Sequence, residues 1–255
     1  MNIIPLAPEV INKDARTGLI LVCDHASNFV PENLNGLGLD PKHLEDHIAI
    51  DIGCAEMTRK MAEMMGVAAV LAPVSRLVID CNRDPLSTTM VPTVSDGIII
   101  PGNHGLDSID IAIRKRAYYD PFHSTIEELI AAHLAAGQIP IVAALHSFTP
   151  EMNGQERPWG AGLLWNRDPR LAQALIGLLE RETDLVIGDN EPYSGQDLYY
   201  TMQRHGADHG LPQATIEIRQ DLLSNDAQIT EWSALMADLL DECMAREDIV
   251  QIKHY

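Results

Sequence analysis

The sequence predicts an α/β fold: a mixed, mostly parallel central sheet with helices on both faces, three αβα layers in all. Three observations carry this. Short aliphatic runs recur along the chain, and segments of helical periodicity lie between them. Hydrophobic residues make up 46% of the chain and aromatics only 5%, so the core has to be built from Leu, Ile, Val, Ala and Met. Strands that alternate with helices form βα units, and parallel strands of this kind are buried between helical layers.

The strand-like runs are residues 19–23, 67–71, 77–81, 139–145, 162–165, 185–187 and 214–218. Asp40-Pro41 opens the first helical pattern, an N-cap followed by Pro at the first position. Leu44, Ile48, Ile52, Met57, Met61 and Met64 then recur at roughly helical spacing until Gly66 ends the pattern. Residues 109–136 carry a second pattern that contains Pro121, which predicts a kink or two helices. Residues 169–182 and 226–246 read as amphipathic helices. Residues 82–108 and 189–212 are poor in regular signal and exceed ordinary connection lengths, which marks them as functional loops.

The 255 residues contain no repeat and no stretch that reads as a linker, so one domain spanning 1–255 is expected. No apolar run approaches the ~20 residues that span a bilayer. The N-terminal "MNIIPLAPEVINKD" lacks a basic region followed by a long apolar stretch, so no signal peptide is expected. Cys23, Cys54, Cys81 and Cys243 are scattered, a pattern of reduced thiols in a cytoplasmic protein. A net charge of −19 argues against nucleic acid and against anionic membrane surfaces as partners. It leaves room for a pocket with two arginines. A monomer or small homo-oligomer acting on a small molecule is expected.

In such folds the working groups sit beyond the C-terminal ends of strands. "GLILVCDHASNFVP" (18–31) ends its strand in Asp24 and His25. "DCNRDP" supplies Asp80, Asn82 and Arg83, "IPIVAALHSFTP" ends in His146 and Ser147, and "ATIEIRQ" carries Glu217 and Arg219. Each has a plain structural reading: turn histidines, a half-exposed strand face, surface charges at Arg76 and Arg83, a solvated helix face at Asp51. Together on one edge they form an inventory. Two imidazoles and a carboxylate are a zinc set with one open position for water. A separate Glu can move a proton, and arginines can grip a carboxylate or polarise a carbonyl. This is the equipment for hydrolysing an amide in a small acidic molecule. His205 and His209 form an i, i+4 pair, but Gly206 and Gly210 place them in a loop that contacts substrate; His123, after Pro121, is expected to line the pocket. No GxSxG elbow occurs, and Ser147 beside His146 is the serine to watch.

Several longer segments, in order, resemble the N-formylglutamate amidohydrolase family: "CDHASNFVPENLNGLGL", "DHIAIDIGCAEMTRKMAEMMG", "SRLVIDCNRDP", "ALHSFTP", "GLLWNRDPRLAQAL", "GDNEPYSG" and "GLPQATIEIRQDLL". The resemblance covers nearly the whole chain. It implies a phosphorylase/hydrolase-like fold of the zinc carboxypeptidase and aspartoacylase group. There an HxxE motif and a later His hold the metal, and a DxNR motif contacts substrate. Carried over, His25 and His146 are metal ligands, and Asp80, Asn82 and Arg83 stand in the DxNR positions. Glu217 takes the place of the catalytic Glu, and Arg83, the other catalytic residue, is expected to grip a carboxylate or carbonyl. Asn28 stands where HxxE has its Glu. The third ligand is therefore expected at Asp51, with Asp46 and His47 as the alternatives. Asp24 is expected to orient His25, Asp80 to support the ligands, and Arg76, Asn82, Arg83, His123, His205 and Arg219 to bind substrate. The implied activity is zinc-dependent cleavage of N-formyl-L-glutamate, or a similar N-acyl amino acid, to formate and L-glutamate, a step of histidine degradation. A deacylase or carboxypeptidase-like hydrolase of another small acyl-amino acid or peptide is the alternative. A metal-free binding protein on the same fold is the other.

Overall fold

The computed structural model of the protein describes residues 4–255, so the first three residues of the N-terminal segment lie outside it. In chain order its strands and helices are β1 (Glu9–Ile11), β2 (Leu19–Cys23), α1 (Cys54–Met65), β3 (Ala68–Leu71), β4 (Val94–Ser95), β5 (Ile98–Ile99), α2 (Ser108–Arg114) and α3 (Asp120–Ala135). Then follow β6 (Ile141–Phe148), β7 (Glu151–Met152), β8 (Gln155–Glu156), β9 (Ala161–Leu164), α4 (Arg170–Glu182), β10 (Ile187–Asp189), α5 (Tyr200–His205), β11 (Gln213–Arg219) and α6 (Asp226–Met244).

Seven strands form one sheet in the order β1-β3-β2-β6-β11-β9-β10. The pairs β3/β2, β2/β6, β6/β11 and β9/β10 are parallel, while β1/β3 and β11/β9 are antiparallel. This is the mixed, mostly parallel αβα architecture read from the sequence. Successive side chains of β2 go to opposite faces. Leu19, Leu21 and Cys23 pack with Met57 and Met61 of α1, Leu175 of α4 and Met236 of α6. Ile20 and Val22 pack with Phe122 and Ile126 of α3 and Met202 of α5. Among the described residues no helix is long and apolar enough to cross a membrane, and all four cysteines are free and buried.

Four local expectations are corrected. Residues 77–81 are buried, yet they form turns and irregular backbone instead of a strand. Their carbonyls are satisfied by side chains: Arg114 Nη1 donates to Val78 O at 3.0 Å and Asn103 Nδ2 to Leu77 O at 2.8 Å. The helix expected from Asp40 stops after one 3-10 turn, Pro41–Leu44, capped by Asp40 as predicted. The regular helix starts only at Cys54, after Gly53 at φ 81°, so Asp51 lies in a loop. β6 runs on to Phe148, so His146 and Ser147 stand inside a strand, not beyond it. The two long loops contain the β4/β5 hairpin and α5. The kink expected at Pro121 takes the form of a π turn, Lys115–Tyr119, that joins α2 to α3.

Gly162 and Gly188 let the loop after β10 lie on the sheet. A Cβ on Gly162 would stand 1.9 Å from Glu191 O, and one on Gly188 2.4 Å from the same atom. Gly162→Ala is therefore expected to lower stability by ~1–3 kcal/mol, the range of an overpacked site. Gly177, exposed in α4 with no described atom within 4 Å of its missing Cβ, is the opposite case. Gly177→Ala should raise stability by ~0.5–1 kcal/mol through helix propensity. Urea denaturation of both variants checks the pair, and a neutral Gly162→Ala would contradict the close approach.

Candidate active site

Strand register sets the first row of polar groups. Val22 of β2 pairs with Ala144 of β6, which two residues on brings Asp24 beside His146. His146 is opposite Glu217 of β11, and Glu217 is opposite Gly162 of β9. The period of two puts all three side chains on one face. His25 follows one residue beyond Asp24. Asp51 comes in from the loop before α1, its N–H donating to His25 O at 3.1 Å while Cys54 N–H donates to Asp51 O at 3.2 Å.

The three expected ligands meet. His25 Nδ1 lies 3.2 Å and His146 Nδ1 2.7 Å from the same oxygen, Asp51 Oδ2. The other nitrogen of each ring faces a second carboxylate: His25 Nε2 is 2.8 Å from Asp80 Oδ1, and His146 Nε2 is 3.1 Å from Asp24 Oδ2. An imidazole that donates Nε2–H to a carboxylate presents its Nδ1 lone pair on the far side, the arrangement that orients a metal-ligating histidine. One ligand atom from each of His25, Asp51 and His146 lies within 4.8 Å of the others. Two nitrogens and one carboxylate oxygen, buried and held from behind, fit a tetrahedral divalent ion with an open position. Arg76 Nη1 donates to Asp51 Oδ1 at 3.0 Å, and Thr201 Oγ1 donates to Asp24 Oδ1 at 2.5 Å.

The local field favours positive charge at this point. Four carboxylates are buried here, Asp24, Asp51, Asp80 and Glu217, and of these Asp51 and Asp80 pair with the guanidiniums of Arg76 and Arg83. Burial pushes the Asp51 carboxyl up, but His25, His146 and Arg76 outweigh it and hold it well below the usual range. Burial pushes the His146 imidazole down, and its bonds to Asp24 and Asp51 push it further up, well above its ordinary value. Glu217 behaves differently. Burial, with the charge of Asp51, raises it to about 7 against the pull of His146 and His25. Its Oε2 has no hydrogen-bond partner among the described residues.

These groups line a cavity of about 240 Å³, with Met152, Tyr193 and Leu198 in its wall. A second cavity of about 260 Å³ shares Asn82 and Arg83 with it. A larger one, about 330 Å³ beside Arg167 and Lys253, holds no such cluster; chemistry singles out the site, not size.

Several expected site residues stand elsewhere. Asp24 orients His146, and Asp80 is the carboxylate behind His25. Asp46 and His47 pair with each other on the surface, and Asp51 is the carboxylate that meets the two histidines. Arg219 pairs with Asp221 at 2.8 Å and reaches the carbonyls of Arg157 and Trp159, away from the cavity. His123 and His205 are fully buried and bonded to each other at 2.7 Å, with His123 Nε2 on Cys81 O at 3.0 Å. They support the loop that carries Asn82 and do not reach the cavity. His209 is exposed, whereas His205 is buried against His123. The sequence does not single out Thr201 or Tyr193 as residues, although both lie in the long loop 189–212 and Tyr193 also in "GDNEPYSG".

Residues 17–224 match the profile of a family described as N-formylglutamate amidohydrolase. Among solved structures the chain is similar to the gene product Atu2144 from Agrobacterium tumefaciens, with 35% identity, a TM-score of 0.90, and 94% of this chain and 95% of that one covered. It is also similar to an N-formylglutamate amidohydrolase from Ralstonia eutropha JMP134, with 18% identity, a TM-score of 0.68, and 88% and 94% covered. At that identity the likeness speaks for the fold alone. No curated protein matches the chain.

The His123–His205 pair has a consequence for acid stability. Burial, with Arg204 nearby, lowers His123 to about 4, and burial with His123 beside it lowers His205 to about 2. Below an unfolded-state value of ~6.5 the unfolded chain binds protons that the folded chain refuses. Stability therefore falls as pH drops from ~6.5 toward 4, by ~1.4 kcal/mol per pH unit for each histidine. Replacing one histidine by His205→Gln should flatten this loss by about half. Urea midpoints at several pH values check it; parallel profiles for the two proteins would refute it.

Proposed function

The chain belongs to the N-formylglutamate amidohydrolase family, hydrolases of an amide bond, and from that premise we propose that it hydrolyses N-formyl-L-glutamate to formate and L-glutamate. The observation that carries the reading is the meeting of two Nδ1 atoms at Asp51 Oδ2 beside the unpartnered Oε2 of Glu217. His25, Asp51 and His146 would hold one divalent ion, and two imidazoles with a carboxylate suit zinc. Such an ion supplies Lewis acidity to a water and to the scissile carbonyl.

The chain's own groups do the rest. Glu217, held near 7, accepts a proton from the attacking water at Oε2 and returns it to the amide nitrogen as the C–N bond breaks. Water adds its oxygen to the formyl carbon, and the amine leaves protonated. Arg83 Nη1 is tied to Asn82 O at 3.0 Å, and its guanidinium faces both cavities, a fork matched to the substrate carboxylate. Arg76 is bound to Asp51 and Asp80, so it steadies the donor set and adds charge to the pocket. This activity would serve histidine degradation in the cytoplasm. A second reading, a deacylase of a larger N-acyl amino acid or short peptide, is supported by the second cavity joined at Arg83. Comparing formate release from N-formyl-L-glutamate with amine release from formyl and longer acyl dipeptides decides between the two.

Two outcomes are expected. Elemental analysis of the purified protein should find about one divalent metal per chain, and the double variant His25→Ala, His146→Ala should lose it. Full occupancy in that double variant would rule out the ligand set. Glu217→Gln keeps the size of the side chain and cannot take a proton. Its kcat should fall ~10²–10⁴-fold with metal content unchanged. An unchanged kcat would remove Glu217 from the proton path.

A further inference from the structure

The segment "GDNEPYSG", residues 188–195, has no part in the mechanism above, yet it puts Tyr193 in the wall of the catalytic cavity. The segment is held on both sides. Asn190 N–H donates to Leu163 O of β9 at 3.0 Å, and Asn190 Oδ1 accepts from Trp165 N–H at 3.0 Å and Gly195 N–H at 2.9 Å. Glu191 O rests where Gly162 and Gly188 have no Cβ. A loop held in this way presents its side chain at a fixed depth.

Arg157, which follows the β7/β8 hairpin, fixes the phenol itself. Its guanidinium carbon lies 4.8 Å from the centre of the Tyr193 ring and 5.8 Å from that of Phe148. Its Nη1 donates to the Tyr193 hydroxyl at 3.1 Å and to Thr149 Oγ1 at 3.2 Å. A guanidinium has donors and no acceptor, so the phenol oxygen is the acceptor in this contact. The Tyr193 O–H proton remains free, with no acceptor among the described residues. Tyr193 lines the same cavity as Glu217, Arg76 and the three donors His25, Asp51 and His146, which places it beside the reacting groups. Hydrolysis of an amide gathers negative charge on the carbonyl oxygen, and a preset donor aimed at that oxygen stabilises the transition state more than the substrate. Positive charge on the far side of the phenol makes it a stronger donor.

We propose that Tyr193 is a further catalytic residue, whose hydroxyl donates a hydrogen bond to the oxygen of the scissile carbonyl as charge develops there, and that Arg157 positions it. The proton stays on the tyrosine throughout. The proposal rests on the hydrolytic reading of the same cavity.

The test compares metal-loaded wild type with Tyr193→Phe, which keeps the ring and loses the donor. Hydrolysis of N-formyl-L-glutamate is measured, together with calorimetric binding of L-glutamate and of the analogue in which a tetrahedral phosphoryl group replaces the formyl group. The variant should lose ~10²-fold in kcat, the usual effect of one oxyanion donor, with KM nearly constant. It should bind the analogue at least about tenfold more weakly and L-glutamate as before. Arg157→Met should lower kcat in the same direction, and Arg157→Lys should recover part of the loss. Wild-type kcat and analogue affinity in Tyr193→Phe overturn the proposal and leave the hydrolytic reading standing. So does a loss confined to KM and L-glutamate affinity, which marks a contact with the ground state. A wild-type protein that neither hydrolyses the substrate nor binds the analogue overturns both.

Discussion

Two imidazoles meet one carboxylate oxygen at the edge of the sheet, and the other polar groups of the site are arranged to keep them there. Asp51 Oδ2 lies between His25 Nδ1 and His146 Nδ1, while Arg76 holds the other oxygen of Asp51. Neither ring is free to turn, because Asp80 and Asp24 bind the opposite nitrogens. Asp24 is in turn held by Thr201, whose N–H also donates to Asn82 Oδ1 at 3.0 Å. A buried polar group left unpaired costs ~1–3 kcal/mol, so each tie supports its neighbours and the set stands or falls together.

The same contact explains the charge of the site. Carboxylates are rarely buried without a partner, since removal from water is expensive. Here Arg76 pairs with Asp51 and Asp80, and Arg83 with Asp80, while Asp24 and Glu217 are buried beside them, a crowd of carboxylates whose charge a divalent ion held by His25, Asp51 and His146 would offset. Glu217 stands at the far end of the row and is the group that burial, helped by the charge of Asp51, drives up to about 7. A proton carrier beside a strongly ionised carboxylate results from unequal surroundings, not from residue type. The net charge of −19 repels an acidic substrate at long range, and Arg83 provides the local compensation at the cavity.

The irregular run 77–81 matters as much as the strands. In a strand, alternate side chains would point to opposite faces. Free of that alternation, the backbone brings Arg76 and Asp80 to the donor set and both Asn82 and its neighbour Arg83 to the cavity. Its buried peptide groups still need partners. Arg114, fully buried, reaches Val78 O and also donates to Asn103 Oδ1 at 2.7 Å; Asp80 N–H donates to Met90 O at 2.7 Å.

Much of the sheet was legible because β2, β3, β6, β9 and β11 are aliphatic runs between helical segments, and burial on both faces selects for that composition. The π turn before Pro121 and the cap at Asp40 follow from local chemistry as well. Residues 77–81 look like a strand in the sequence because an apolar run records burial and not hydrogen bonding, and the side chains that replace the ladder lie far along the chain. His123 and His205 are buried against each other and not in the cavity, a difference invisible in the sequence, where a histidine near a loop looks the same whether it faces a cavity or a core. By itself, then, the sequence determined the layered α/β fold and named His25, His146, Arg83 and Glu217 as the groups at the strand edge. Only the tertiary structure decided that Asp51 joins the histidines, that Nδ1 is the inward nitrogen of both, and which acid supports which ring. The reason is distance along the chain. These contacts link residues 26, 55, 95 and 122 positions apart, where no local pattern of spacing carries a signal.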